Sequence, residues 1–197
     1  FYLLGIVVVV DSVASGVFRA ALKRAGEKRS DVEELTGVVA LVICASTFFF
    51  LGVIFSLKLA EVVSNPFVGI LIFIGTVGSR GFLMILGGTG QVAERAWIEV
   101  IRTILRVVIW VSAGMLELGL IWLGVGTFVA GGFVSILTIS MIGLPSMPRE
   151  ETIEPIISFS RYSVPQSIVG RGFGQLTPVL IGVILGPVSV AIWTIIN

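Results

Sequence analysis

Residues 159–185 read FSRYSVPQSIVGRGFGQLTPVLIGVIL. The stretch is apolar over a length that crosses a bilayer as a helix, yet Ser163, Ser167, Arg171 and Gln175 recur every four residues. That spacing stacks side chains on nearly one helical face. Arg171 has at least nine residues without another charge on either side. A cation so placed sits deep in a membrane, at a cost of about 2.5–3.5 kcal/mol on insertion scales. Two readings explain it. Arg171 is a structural cation paired to a backbone carbonyl or a distant acid, or it lines a watery substrate path.

Working outward, the chain is 56% hydrophobic and only 13% charged. A soluble domain carries roughly 25% charged residues. The composition predicts a polytopic, all-α membrane protein, and a net charge of +1 names no partner. The single cysteine, Cys44, permits no internal disulfide and is expected as a small buried hydrophobe. There is no histidine, which removes the commonest general base and metal ligand. The chain opens and closes inside apolar runs, so it is expected to be a fragment of a longer protein.

Hydropathy predicts spans at 1–22, 35–57, 67–86, 97–115, 118–144 and 159–185, with a seventh starting after Gly186-Pro187. The first carries Asp11, Ser15 and Arg19 four apart, and Asp11 is expected to pair with an arginine of another helix. The third carries Thr76 and Arg80 four apart, with Gly75, Gly78 and Gly81 as small residues for close helix packing. Arg80 either snorkels to the surface or lines a cavity. In the fourth, Glu99 and Arg102 mark an end and pair along the helix, while Arg106, one turn deeper, points into the protein. The turn at 87–90 is glycine-rich but lacks the lysine and the preceding strand of a phosphate loop.

Alternating spans put connections 23–34, 87–97 and 145–158 on one side. Those connections and their flanks hold Arg19, Lys23, Arg24, Lys28, Arg29, Arg95, Arg102, Arg149 and Arg161, against Lys58 alone on the other side. Such an asymmetry predicts that the basic side is cytoplasmic.

The residues do not suit an enzyme. An intramembrane protease needs a Ser–His or Asp–Asp set, and one acid alone lies deep in a span. No cofactor, metal or nucleic acid is expected. Transport suits them better. Arg80, Arg106 and Arg171 against Asp11 make a cationic lumen, and guanidinium forks match phosphate. Thr76, Ser163, Ser167 and Gln175 supply groups for hydroxyls.

A resemblance points the same way. Ser158-Phe-Ser-Arg-Tyr-Ser-Val-Pro165, followed by Leu180-Ile-Gly-Val-Ile-Leu-Gly-Pro-Val-Ser-Val-Ala-Ile-Trp193, resembles the middle of a polysaccharide (O-antigen, lipid-linked oligosaccharide) flippase. That family belongs to the multidrug/oligosaccharidyl-lipid/polysaccharide (MOP) exporter superfamily. Trp193 stands where the family usually has tyrosine. Arg80-Gly-Phe-Leu-Met-Ile-Leu-Gly-Gly-Thr-Gly-Gln91 resembles its "Arg-Gly…Gln-Gly-x-Gly-Arg" turn, departing at Gly88 and Gln91. The resemblance implies a MATE/flippase-like two-lobe fold working by alternating access. Residues 1–144 would hold helices of the first lobe without its first helix, 145–158 the inter-lobe cytoplasmic loop, and 159–197 the start of the second lobe. It implies a multi-pass protein of the cell membrane that moves a polyprenyl-diphosphate-linked oligosaccharide across the bilayer. The alternative is a cation-coupled drug antiporter of the same superfamily, with Asp11 binding Na⁺ or H⁺.

Overall fold

The computed structural model describes residues 2–27, 31–59, 66–119, 121–172 and 184. Among the described residues every regular element is a helix: α1 (Tyr2–Glu27), α2 (Val32–Leu59), α3 (Pro66–Gly88), α4 (Val92–Met115), α5 (Ile121–Ile142) and α6 (Glu150–Ser167), which continues into a π-helical turn at Ile168–Gly172. Three are long and apolar enough to cross a membrane: Val32–Lys58, Pro66–Gly88 and Ile121–Ile142. Composition thus reads the chain as a membrane protein.

The helices run alternately up and down. Gly88, at the end of α3, lies against Leu22 and Ala25 at the end of α1. The Ser146 amide, before α6, donates to the Glu33 carbonyl at the start of α2 (3.0 Å). The connections after α1, α3 and α5 therefore share one end, the end expected to be basic.

Helix α3 is the hub. It packs on α5 most extensively and touches α1, α2 and α4, while α6 lies along α1. Its contact with α5 is backbone on backbone. A Cβ on Gly131 would come within 2.1 Å of the Gly75 carbonyl oxygen, and one on Gly75 within 2.4 Å of the Thr127 carbonyl oxygen. Only hydrogen fits there, which is how small residues bring helices together where lipid gives no hydrophobic drive. On the α2 side, Phe50 and Phe73 stack with ring centroids 4.3 Å apart. Phe18, Leu35, Ile54, Ile85 and Leu86 complete the buried core.

Helix α4 is turned inside out by the standards of a soluble protein. Val100, Ile101, Ile104, Val107, Val108 and Val111 are exposed along one side. Arg95, Arg102 and Arg106 are half-buried on the other. Water would favour the reverse arrangement, whereas a bilayer favours this one.

Several boundaries differ from those expected. Helix α1 runs on to Glu27 and α4 begins at Val92, because helices continue beyond the apolar span into polar sequence that still forms helix well. Helix α6 starts at Glu150 rather than at 159, so the long connection shrinks to residues 143–149. Glu150 and Glu151 sit in its first turn, where carboxylates offset the dipole. The shortened connection is strapped to α2. The Thr152 hydroxyl donates to Glu34 Oε2, and Arg149 Nε pairs with Glu34 Oε1 at 3.1 Å. Gly37 makes room for the strap, since a Cβ there would lie 1.8 Å from the Ser146 carbonyl oxygen. The long helix of the opening stretch is not uniform either. Its α-period ends at Ser167, and the following turn closes i→i+5. The spacing that stacks Ser163 and Ser167 therefore does not carry on to Arg171 with the same period. Cys44 is exposed, not buried. It shares its side of α2 with the exposed Leu41, Phe48 and Phe55, where apolar character matches an apolar surrounding instead of a core. Of the connection expected at 58–66, Lys58 belongs to α2 and Pro66 opens α3, while residues 60–65 and the seventh span lie outside the described residues.

Candidate functional site

At mid-length of α1, Asp11 is buried and accepts a hydrogen bond from Nη1 of Arg80 on α3, closing an ion pair between the two helices. Counting at about 1.5 Å per residue, Asp11 lies roughly 24 Å from the Glu27 end and Arg80 about 12 Å from Gly88, so the pair sits inside the length of both helices and not at their ends. Arg80 therefore turns to a partner inside and does not snorkel. Asp11 Oδ1 is buried and has no hydrogen-bond partner among the described residues.

The pair is the start of a polar stripe. Ser79, fully buried next to Arg80, donates to the Gly75 carbonyl (2.7 Å) and accepts from Nη1 of Arg102 on α4 (3.0 Å). Arg102 also gives Nη2 to Glu99 Oε1 at 3.1 Å, and its side chain is only 17% exposed. Arg80 and Arg106 both lie within electrostatic reach of Arg102. One turn further along, the Arg106 guanidinium rests 5.0 Å from the centre of the Trp110 ring, and Trp110 Nε1 donates to the Leu123 carbonyl of α5 (3.0 Å). Arg106 Nε is buried with no hydrogen-bond partner among the described residues. Three guanidinium groups from two helices thus gather against two carboxylates, Asp11 and Glu99. Like charges held this close repel, and the buried nitrogen and carboxylate oxygen retain unused hydrogen-bonding capacity.

The other expected site residues fall in different places. Thr76 is half-buried on α3, one turn before Arg80. Ser163 is buried and spends its hydroxyl on the Gly16 carbonyl of α1 (2.7 Å), which fastens α6 where Gly16 meets Val164. Gly16 is five residues from Asp11, about 140° around α1, so Ser163 and the Asp11–Arg80 pair use different sides of that helix. Ser167 is fully buried, with a hydroxyl lacking a hydrogen-bond partner among the described residues. Arg171 lies on the π-helical turn but its side chain is outside the described residues, as is Gln175.

Arg102 pairs with Glu99 as the spacing predicts, but its reach across to Ser79 of α3, and the place of Ser79 in the stripe, are not expectations of the sequence. The signal was there for Arg102: it falls four residues before Arg106, opposite the run of valines and isoleucines. Ser79 has no such signal, because a serine next to glycines reads as a packing residue. Among the described residues no group of three His, Cys, Asp or Glu side chains is placed to hold a metal. No protein-family model, no curated protein and no solved structure matches the chain.

Proposed function

We propose that the chain belongs to a multi-pass cell-membrane transporter that moves an anionic lipid-linked oligosaccharide, of the polyprenyl-diphosphate type, by alternating access between two flippase-like lobes. One observation carries the reading: Arg80, Arg102 and Arg106 lie along one polar stripe within otherwise apolar helices and outnumber the acids beside them. Cations inside a bilayer are expensive and mark ion or substrate pathways. Guanidinium forks bind phosphate oxygens bidentately, which fits a diphosphate better than a neutral sugar or a drug cation. The outward apolar side of α4 supports the same orientation, with charge toward a protein-lined path and hydrocarbon toward lipid.

The test is a proteoliposome assay with a fluorescent lipid-linked diphosphate oligosaccharide. Arg106→Gln removes a cation without breaking a described ion pair, and flipping is expected to fall at least tenfold while protein yield is kept. Unchanged flipping in Arg106→Gln and Arg102→Gln together overturns the proposal.

A second reading, a cation-coupled antiporter, is favoured by the unpartnered buried oxygen of Asp11. Under it, Asp11→Asn abolishes ion-gradient dependence and leaves the response to substrate charge intact.

A further inference from the structure

A second cationic feature lies apart from the stripe. Where the last turns of α1 meet α6, a cavity of about 290 Å³ opens between Lys23, Arg24 and Glu27 on one wall and Ser158, Phe159 and Tyr162 on the other. Lys23 is twelve residues from Asp11, about 18 Å along the helix, so the two features are separate. The cavity is at the basic end of the bundle, beside the connections that leave the apolar spans.

Its chemistry is specific. The Lys23 ammonium is held 4.7 Å above the Phe159 ring, which fixes a flexible cation at the rim. Lys23 and Arg24 both reach Glu27 only at 3.9 Å, the outer limit of an ion pair, and they share that one carboxylate. Two cations against one acid leave a net positive rim. Ser158 and Tyr162 bring hydroxyls to the facing wall, and Tyr162 is 79% exposed, as suits an aromatic at a membrane–water boundary. Ala20 and Pro155 complete the lining with apolar groups. Neither α1 nor α6 is among the three helices long and apolar enough to cross a membrane, but the cavity opens at the basic end of those three, where basic clusters flanking spanning helices attract anionic lipid headgroups. The volume accommodates about ten water-sized groups, comparable to a phosphoglycerol headgroup of about ten non-hydrogen atoms.

We propose that this cavity binds the phosphodiester of an anionic phospholipid, with Lys23 and Arg24 on the phosphate, Ser158 and Tyr162 on its oxygens or glycerol hydroxyls, and Phe159 against the glycerol backbone. The site rests on the membrane reading of the chain and is independent of what the stripe around Arg102 transports.

The experiment uses the purified protein in nanodiscs of phosphatidylcholine, with or without phosphatidylglycerol. Bound lipid is counted by native mass spectrometry after release, and affinity is read by titrating phosphatidylglycerol. The wild type is expected to retain phosphatidylglycerol selectively. Lys23→Gln/Arg24→Gln is expected to bind it more weakly by about fivefold per lost cation. Lys58→Gln, at the opposite end, is expected to change nothing. If the double variant folds poorly, Tyr162→Ala and Lys23→Arg decide: the first weakens retention and the second preserves it. Retention equal to wild type in Lys23→Gln/Arg24→Gln, or in Tyr162→Ala with Lys23→Arg no better than Lys23→Gln, overturns the site. Competition by millimolar inorganic phosphate as strong as that by phosphatidylglycerol also overturns it, in favour of a free-anion site.

Discussion

Helix α3 meets its neighbours in two contrasting ways. Toward α5 it offers glycine, so that Gly75 and Gly131 bring the two backbones into contact with no side chain between. Toward α1 and α4 it offers Arg80 and Ser79, and the contacts are an ion pair with Asp11 and a hydrogen bond that the Ser79 hydroxyl accepts from Arg102. The first contact can only hold, because nothing in it titrates, donates or has room to move. The second is costly to bury and over-supplied with cations, which makes it poor cement and a good place to receive an anion. The difference teaches where to look for work in an apolar bundle: at the contact that packing alone would never have selected.

The glycine contact gives the largest expected effect. Gly131→Leu places a side chain where 2.1 Å separates a Cβ from a carbonyl oxygen, and no rotamer relieves a clash with backbone. A loss of about 3 kcal/mol or more is expected, read as a collapse in detergent-solubilised yield and melting temperature. If Gly131→Leu melts like wild type, the close contact is absent and the comparison breaks. The charged contact comes next. Asp11→Asn and Arg80→Gln are each expected to cost about 2 kcal/mol, since each strands a charge in a protein interior. The double variant is expected to cost clearly less than the sum, measured as a double-mutant cycle on chemical unfolding. Additive losses mean that the two side chains do not meet.

The strap at the basic end ranks third. Thr152→Val removes one hydrogen bond to Glu34, at about 1 kcal/mol, and speeds proteolysis within residues 143–149. Unaltered proteolysis means the strap is held without that bond. The smallest effect is expected at Cys44. Cys44→Ser stays within about 0.5 kcal/mol of wild type, and Cys44→Trp, whose larger side chain has open space beside an exposed position, is expected to melt within about 0.5 kcal/mol as well. A loss of several kcal/mol in Cys44→Trp returns Cys44 to the core and weakens the outward-apolar rule used for α4.

Much of this was legible in the residues. The helical class, the alternating direction of the described helices and the gathering of their connections at one end follow from hydropathy and charge placement. So does the inward partner of Asp11, because a lone acid in an apolar run has few ways to be stable. The start of α6 was not legible. Glu150, Glu151 and Glu154 look like a polar loop until it is seen that carboxylates suit a first helical turn. The exposure of Cys44 was missed because apolar sequence predicts an apolar surrounding without saying whether protein or lipid supplies it. The four-residue line from Ser163 assumed one unbroken α-period, and no local signal announces the i→i+5 turn after Ser167. The role of Ser79 depends on which helix passes beside it, information held in the fold alone.

The central claim is that the arginine side of α4 faces a wet, anion-accepting path while its valine side faces hydrocarbon. In proteoliposomes made with a Cys44→Ser background, single cysteines at Arg106 and Val108 can be challenged with a water-soluble, negatively charged methanethiosulfonate. Rapid modification of Arg106→Cys with none at Val108→Cys is the predicted result. Modification at Val108→Cys with Arg106→Cys inert would contradict the account.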